Sequence, residues 1–234
     1  MANLKEIRNR ITSIGSTMKI TSAMKMVSAA KLKKAQDAIT AMRPYSDKLS
    51  ELLQNLSGTL DADTGGVYAQ QRSVSKVLLV VVTSNRGLCG GFNSSVIKQT
   101  RANIANNYQG QQVELLTIGK KGNDILRKEY TVVDNQSAVF DELNFENVAE
   151  IAEKLMQLFA DGTYDKIEVI YNSFKNAATQ IVKVEQFLPI KPAENTAAVS
   201  LDYIFEPAQE EIVSALIPKS LKTQLFKALR DSFA

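Results

Sequence analysis

The sequence predicts an α/β protein: a Rossmann-like, doubly wound α/β domain flanked by long N- and C-terminal helices that form an antiparallel coiled coil. Three observations predict this fold class. Apolar residues recur at helical spacing through residues 1–57, strand and helix patterns alternate through the middle of the chain, and helical spacing returns in residues 207–234. With 234 residues, 44% of them hydrophobic and 23% charged, the chain has the composition of a globular protein.

The first predicted element is one very long helix over residues 1–57. Asn3 can cap it, and Glu6 completes a capping box three residues later. At 1.5 Å per residue the helix is roughly 80 Å long, so it must project from a small domain. Pro44 is expected to kink the helix or divide it near Arg43. The apolar stripe comprises Leu4, Ile7, Ile11, Ile14 and Met18, a shifted line of Ile20, Met24 and Val27, and then Leu32, Ala35, Ile39, Met42, Leu49, Leu53 and Leu56.

The middle of the chain follows a polar, glycine-bearing linker over residues 58–75. Residues 77–83 contain a continuous apolar run that ends at Val82, which is typical of a strand buried on both faces. Repeated alternation of strands and helices indicates a mostly parallel, doubly wound sheet. Further strands are predicted over 113–118, 131–133, 166–171 and 179–188, with helices over 93–107, 123–129 and 145–160.

The last predicted helix begins at Pro207, a favourable first residue, and Pro218 is expected to kink it. If this helix pairs antiparallel with the first, residues 1 to about 30 have no partner within the chain. We expect another chain to cover their apolar side chains, and we expect the sequence to lack its natural C-terminus. The predicted division is a coiled-coil helix (1–57), a linker (58–75), the Rossmann-like domain (76–190), a second linker (191–206) and an incomplete coiled-coil helix (207–234).

The net charge of +3 conceals an uneven distribution. Residues 1–43 carry nine basic side chains against Glu6 and Asp37, whereas the rest of the chain carries 19 basic and 23 acidic groups. The basic stretch around Lys31 lacks the interleaved aromatic residues and the reading module of a nucleic-acid-binding protein. A solvated face, or docking on an acidic protein surface, is the better interpretation.

Composition also excludes several kinds of site. The chain has no histidine and a single cysteine, Cys89, which excludes Ser-His-Asp triads, a disulfide framework and cysteine-based metal clusters. Cys89 is therefore expected to be a structural, half-buried thiol. The longest apolar run, residues 77–82, is far shorter than the roughly 20 residues of a membrane helix.

The loop over residues 84–93 (SNRGLCGGFN) follows the first strand of the sheet, where phosphate-binding loops lie. Its glycines match neither the dinucleotide fingerprint nor the Walker loop, and Lys120 and Lys121 stand where a ribose-binding carboxylate is expected. A tight strand-to-helix turn is favoured over a nucleotide site. The alternative function is a small nucleotide-dependent enzyme built on the doubly wound domain.

Three segments resemble, in sequence and in order, the gamma subunit of bacterial F-type ATP synthases. They are residues 17–31 (TMKITSAMKMVSAAK), Arg43-Pro44-Tyr45 and residues 86–93 (RGLCGGFN). The resemblance extends over essentially the whole chain. Asn85 departs from the aspartate usual in the family, and the family's closing helix continues further than this sequence does.

The resemblance implies a rotor shaft that couples ion-driven rotation to ATP synthesis and hydrolysis at the beta subunits, with no active site and no cofactor of its own. The implied partners are the alpha and beta subunits, the epsilon subunit and the c-subunit ring. Assembly with these partners implies that the protein lies peripherally on the cytoplasmic face of the bacterial inner membrane. Met24 and Lys25 match the segment that faces the beta subunits. The predicted partner-binding residues are Lys19, Met24, Lys25 and Arg86.

Overall fold

A computed structural model describes residues 3–57, 67–191 and 209–234. The chain begins with helix α1 (Leu4–Ser57) and ends with helix α5 (Gln209–Phe233), and an α/β domain lies between them. The elements of that domain are β1 (Lys76–Val82), α2 (Phe92–Asn107), β2 (Gln112–Ile118), α3 (Lys120–Leu126), β3 (Val132–Asn135), α4 (Phe145–Ala160), β4 (Lys166–Asn176) and β5 (Thr179–Leu188).

The five strands form one sheet in the order β3-β2-β1-β4-β5. The first four are parallel, and β5 pairs antiparallel with β4. Residues 77–82 of β1 are buried and alternate between two cores. Helices α2 and α3 cover one core, whereas α4 and α5 cover the other. The predicted α/β fold with a mostly parallel, doubly wound sheet is confirmed.

Helix α5 packs simultaneously against α1 and against the α/β domain. Its side chains Ile217, Leu221 and Leu225 belong to the core under α4. Ion pairs join Asp47 to Lys227 and Arg43 to Asp231, so moving forward along α1 corresponds to moving backward along α5. The antiparallel arrangement predicted for the terminal helices is therefore present.

Several predicted boundaries differ from the structure, and Pro44 does not divide its helix. Helix α1 continues through Pro44, and α5 continues through Pro218. Strand β4 extends to Asn176, five residues beyond the predicted end, because hairpin pairing with β5 continues after the apolar run has ended. Pro207, residues 58–66 of the first predicted linker and residues 192–206 of the second lie outside the described residues.

Helix α3 begins at Lys120, three residues before its predicted start, and two glycines explain the difference. A Cβ on Gly119 would lie 2.1 Å from the Thr83 carbonyl oxygen, and Gly119 has a φ of 120°. The Gly122 N–H donates to the Thr83 hydroxyl across 2.9 Å. The first turn of α3 can therefore lie directly on the end of β1 because these positions carry no side chain.

Two similar polar clusters brace the amino ends of the strands, one beside each core. Lys166 and Glu168 form an ion pair of 2.8 Å, and the Lys166 ammonium lies 5.3 Å from the centre of the Tyr108 ring. Burial alone would raise the pKa of Glu168, but hydrogen bonds from Lys166, Tyr108 and Asn103 outweigh it and lower the pKa below its ordinary value. Lys76, Glu114 and Tyr164 repeat this arrangement beside the other core.

Candidate partner-binding surfaces

The first half of α1 presents apolar and basic side chains to solvent. Large apolar side chains that would be buried in a folded core are 44% to 75% exposed here. Burial begins with the half-buried Leu32 and is complete at Ala35 and Ile39. The sequence-based expectation that residues 1 to about 30 have no partner in this chain is confirmed for residues 3–30 as far as the described residues go. The exposed apolar residues are Leu4, Ile7, Ile11, Ile14, Met18, Ile20, Met24, Met26 and Val27.

The predicted partner-binding residues fall into two places. Lys19, Met24 and Lys25 are exposed on the uncovered half of α1, and Met24 retains 62% of its accessible surface. Arg86 is exposed on the loop after β1. It lines a cleft together with Lys31 of α1, which is six residues, or about 9 Å, further along the helix than Lys25.

The loop over residues 84–93 is organised by the side chain of Asn93. Its amide oxygen accepts from the Ser84 N–H at 2.9 Å, and its amide nitrogen donates to the Arg86 carbonyl at 3.2 Å. Leu88 and Gly90 both have a φ of 59°, which gives the loop its tight path. Because these polar groups are bonded to one another, the geometry supports a strand-to-helix turn.

The cysteine of this loop differs from expectation. Cys89 is exposed, so the prediction of a half-buried thiol is wrong. Its Sγ atom lies 3.1 Å from the Asn93 amide nitrogen. Cys89 and the neighbouring Leu88 lie on the outside of the tight turn. The residue type alone does not show that an apolar side chain is exposed there.

A family model described as ATP synthase matches residues 3–234. Over its whole length the chain is 68% identical to the ATP synthase gamma chain of Flavobacterium psychrophilum and 67% identical to that of Flavobacterium johnsoniae. It spans 82% of each of these relatives. The chain belongs to the ATP synthase gamma chain family.

A solved structure agrees with this membership. The central stalk and c-ring structure of the Tetrahymena thermophila mitochondrial ATP synthase contains a chain that matches with a TM-score of 0.64 and 26% identity. The match covers 92% of this chain and 92% of that one. This chain therefore shares its fold with a chain of that structure across a large difference in sequence.

Gamma chains are the non-catalytic central-stalk rotor subunits of F-type ATP synthases. Membership in the family therefore decides against the alternative of a nucleotide-dependent enzyme. A gamma chain of a bacterial complex associates with the membrane peripherally. Among residues 3–57, 67–191 and 209–234, no helix is both long enough and apolar enough to cross a bilayer.

One connection was not found by sequence reasoning. Arg43 was noted only for its place before Pro44, and Asp231 was not singled out, yet the two form a salt bridge of 2.6 Å. Asp231 lies three residues after Ala228, on the buried face of α5. A carboxylate on an apolar helix face is the signal that Asp231 needs a partner, although it does not say which residue that partner is.

Proposed function

We propose that this gamma chain is the rotor shaft of a bacterial proton-translocating ATP synthase. Residues 3–34 of α1 would stand inside the alternating hexamer of alpha and beta subunits. The α/β domain would lie outside the hexamer, where it meets the epsilon subunit and the c-subunit ring on the cytoplasmic face of the inner membrane. The observation that carries the proposal is the uncovered half of α1, since its apolar side chains need partners that the described residues do not supply.

The proposed mechanism needs no reacting group in this chain. An asymmetric shaft that turns inside a ring presents a different surface to each beta subunit in succession. The subunit conformation that fits the presented surface is favoured by its differential contacts with the shaft. Rotation driven by the c-ring would thereby open and close the catalytic sites in turn, and ATP hydrolysis would drive the same rotation backwards.

The residue assignments follow from charge and exposure. Lys19 and Lys25 place positive charges beside the exposed Met24, so this stretch of α1 would dock against acidic and apolar groups of the beta subunits. Arg86 would bind a partner at the base of the shaft, near Lys31. We retain the division into 1–57, 58–75, 76–190, 191–206 and 207–234 as part of this proposal.

Observation of rotation tests the proposed function. In the ATP synthase of Flavobacterium psychrophilum, the matching part of the gamma chain is replaced by this chain, and the rest of the relative's chain is kept. Cys89→Ser and Lys98→Cys provide one exposed attachment point on α2 for a bead, and the beta subunits are fixed to glass. We expect the bead to turn with ATP and to stop with ADP. ATP hydrolysis with a motionless bead would refute the proposal.

A further inference from the structure

Among the described side chains, two ion pairs connect α1 to α5, and their surroundings differ. The pair Asp47–Lys227 spans 2.8 Å at the surface, where the Asp47 side chain is 65% exposed. The pair Arg43–Asp231 spans 2.6 Å, and the Asp231 side chain is only 1% exposed although that of Arg43 is 35% exposed. An exposed pair contributes little to stability, whereas removing one partner of a buried pair leaves a charge without compensation.

Arg43 also reaches a third element. Its Nη2 atom donates to the Phe174 carbonyl oxygen of β4 at 2.5 Å, in addition to its bond with Asp231. A single guanidinium on α1 is thus bonded to both α5 and the sheet. The planar, rigid group of donors in arginine suits such a junction better than a lysine ammonium does.

The end of α5 is also hydrogen-bonded to β4 next to this junction. The Ser232 hydroxyl accepts from the Asn172 N–H at 3.2 Å and lies 3.3 Å from the Asn172 carbonyl oxygen. The Ser173 hydroxyl lies 3.5 Å from Asp231. The Asn172 side chain in turn donates to the Phe92 carbonyl oxygen at the start of α2. The junction therefore continues from the shaft into the centre of the α/β domain.

We propose that Arg43 is a positioning residue for torque transmission, which fixes α1 to the α/β domain through Asp231 and the Phe174 carbonyl. This inference rests on the proposed rotor function. Within the described part of the chain, α1 packs most extensively against α5, and Arg43 adds a direct bond from α1 to the sheet. Without that bond α1 could turn or slide relative to β4 while the domain rotates, and part of the rotation would be lost between them.

Hydrogen exchange on the isolated chain tests the fixation. Arg43→Gln should accelerate exchange in residues 35–52 of α1 by about thirtyfold, because a buried carboxylate loses its partner and the local opening becomes easier. The matched control Asp47→Asn breaks the exposed pair one turn away and should change exchange by no more than about threefold. Equal effects of the two variants would overturn the proposal.

Proton pumping in the chimeric Flavobacterium complex tests the transmission of torque. Arg43→Gln should lower the number of protons pumped per ATP hydrolysed, and Asp47→Asn should leave that ratio unchanged. The double variant Arg43→Met/Asp231→Leu removes both charges, so it should fold with no unpaired buried charge and still lack the bond to Phe174. We expect a lowered ratio for the double variant too.

The outcomes separate the two proposals. A wild-type pumping ratio in either folded variant would overturn the role of Arg43 and leave the rotor function intact. If the unmutated chimera itself neither turns nor pumps, the proposed function fails. In that case the exchange measurement still decides whether Arg43 fixes α1 to the sheet.

Discussion

The two halves of α1 belong to one continuous helix but have opposite environments. The large apolar side chains from Leu4 to Val27 are exposed, whereas Ala35, Ile39 and Leu49 are buried in the second half. Helical periodicity is the same in both halves, so periodicity alone does not distinguish a face that packs within the chain from one that packs against another chain. The difference lies in which half packs against the other described residues, among them those of α5.

The largest expected difference between the two halves of α1 is in their rates of hydrogen exchange. In the isolated chain, residues 4–18 should exchange at least about a thousandfold faster than β1, because long helices draw their stability mainly from packing and this half has none. Adding the alpha-beta hexamer should slow exchange in this half. If residues 4–18 exchange as slowly as β1 in the isolated chain, a partner for them exists in this chain and the comparison fails.

A matched pair of substitutions, one in each half of α1, measures how much each half contributes to the free energy of unfolding. Ile39 is fully buried, so Ile39→Ala should lower the free energy of unfolding by about 2–5 kcal/mol. Ile11 is 66% exposed, so Ile11→Ala should change it by no more than about 0.5 kcal/mol. Urea unfolding of the isolated chain measures both. Similar losses from the two variants would contradict the difference between the halves.

A charge added to the exposed half should change the coupling of ATP hydrolysis to proton pumping and leave the stability of the chain unchanged. Met24→Lys adds a cation that meets the acidic groups on which this basic helix is proposed to dock, and an extra ion pair of about 1 kcal/mol would favour one rotary position. We expect fewer protons pumped per ATP hydrolysed in the chimeric complex, with an unchanged urea midpoint for the isolated chain.

The matched control for that charge is Met26→Lys. Met26 is 71% exposed and lies about 200° around the helix from Met24. It should disturb coupling less than Met24→Lys does. Equal losses of pumping from the two variants would show that the face bearing Met24 has no special role.

The smallest expected effect is a dependence on pH that is confined to the α/β domain. Because the pKa of Glu168 is lowered in the folded protein, its contribution is complete above the unfolded value of about 4.3 and is lost as the pH falls through the folded value. Glu168→Gln should therefore reduce the loss of stability between pH 6 and pH 3.5. Urea midpoints at both pH values measure this loss of stability. As a control, Glu6→Gln in the uncovered half of α1 should leave the loss of stability unchanged.

Much of the fold could be predicted because strong local patterns carried it. The continuous apolar run of β1 and the periodicity of α4 place both elements within a residue of their observed bounds. Tertiary contacts decided the rest. The early start of α3 depends on the contact of Gly119 and Gly122 with Thr83, and the length of β4 depends on its pairing with β5.

The candidate surface was predictable to a smaller extent. The exposed apolar and basic residues of α1 follow from comparing the lengths of the two terminal helices. The junction at Arg43 does not follow from such a comparison, because its partners lie 131 and 188 residues away in the sequence. Single-sequence patterns carry no information about which distant side chains meet.

The continuity of α1 has a geometric consequence for how firmly its base must be held. The uncovered half, residues 3–34, extends about 48 Å beyond the covered half. A straight rod held at one end acts as a lever, so a tilt of about 5° at Ala35 would displace Asn3 by about 4 Å. A displacement of that size exceeds the tolerance of a hydrogen bond or a van der Waals contact. The far end can meet its partners only if the base is held to within a few degrees.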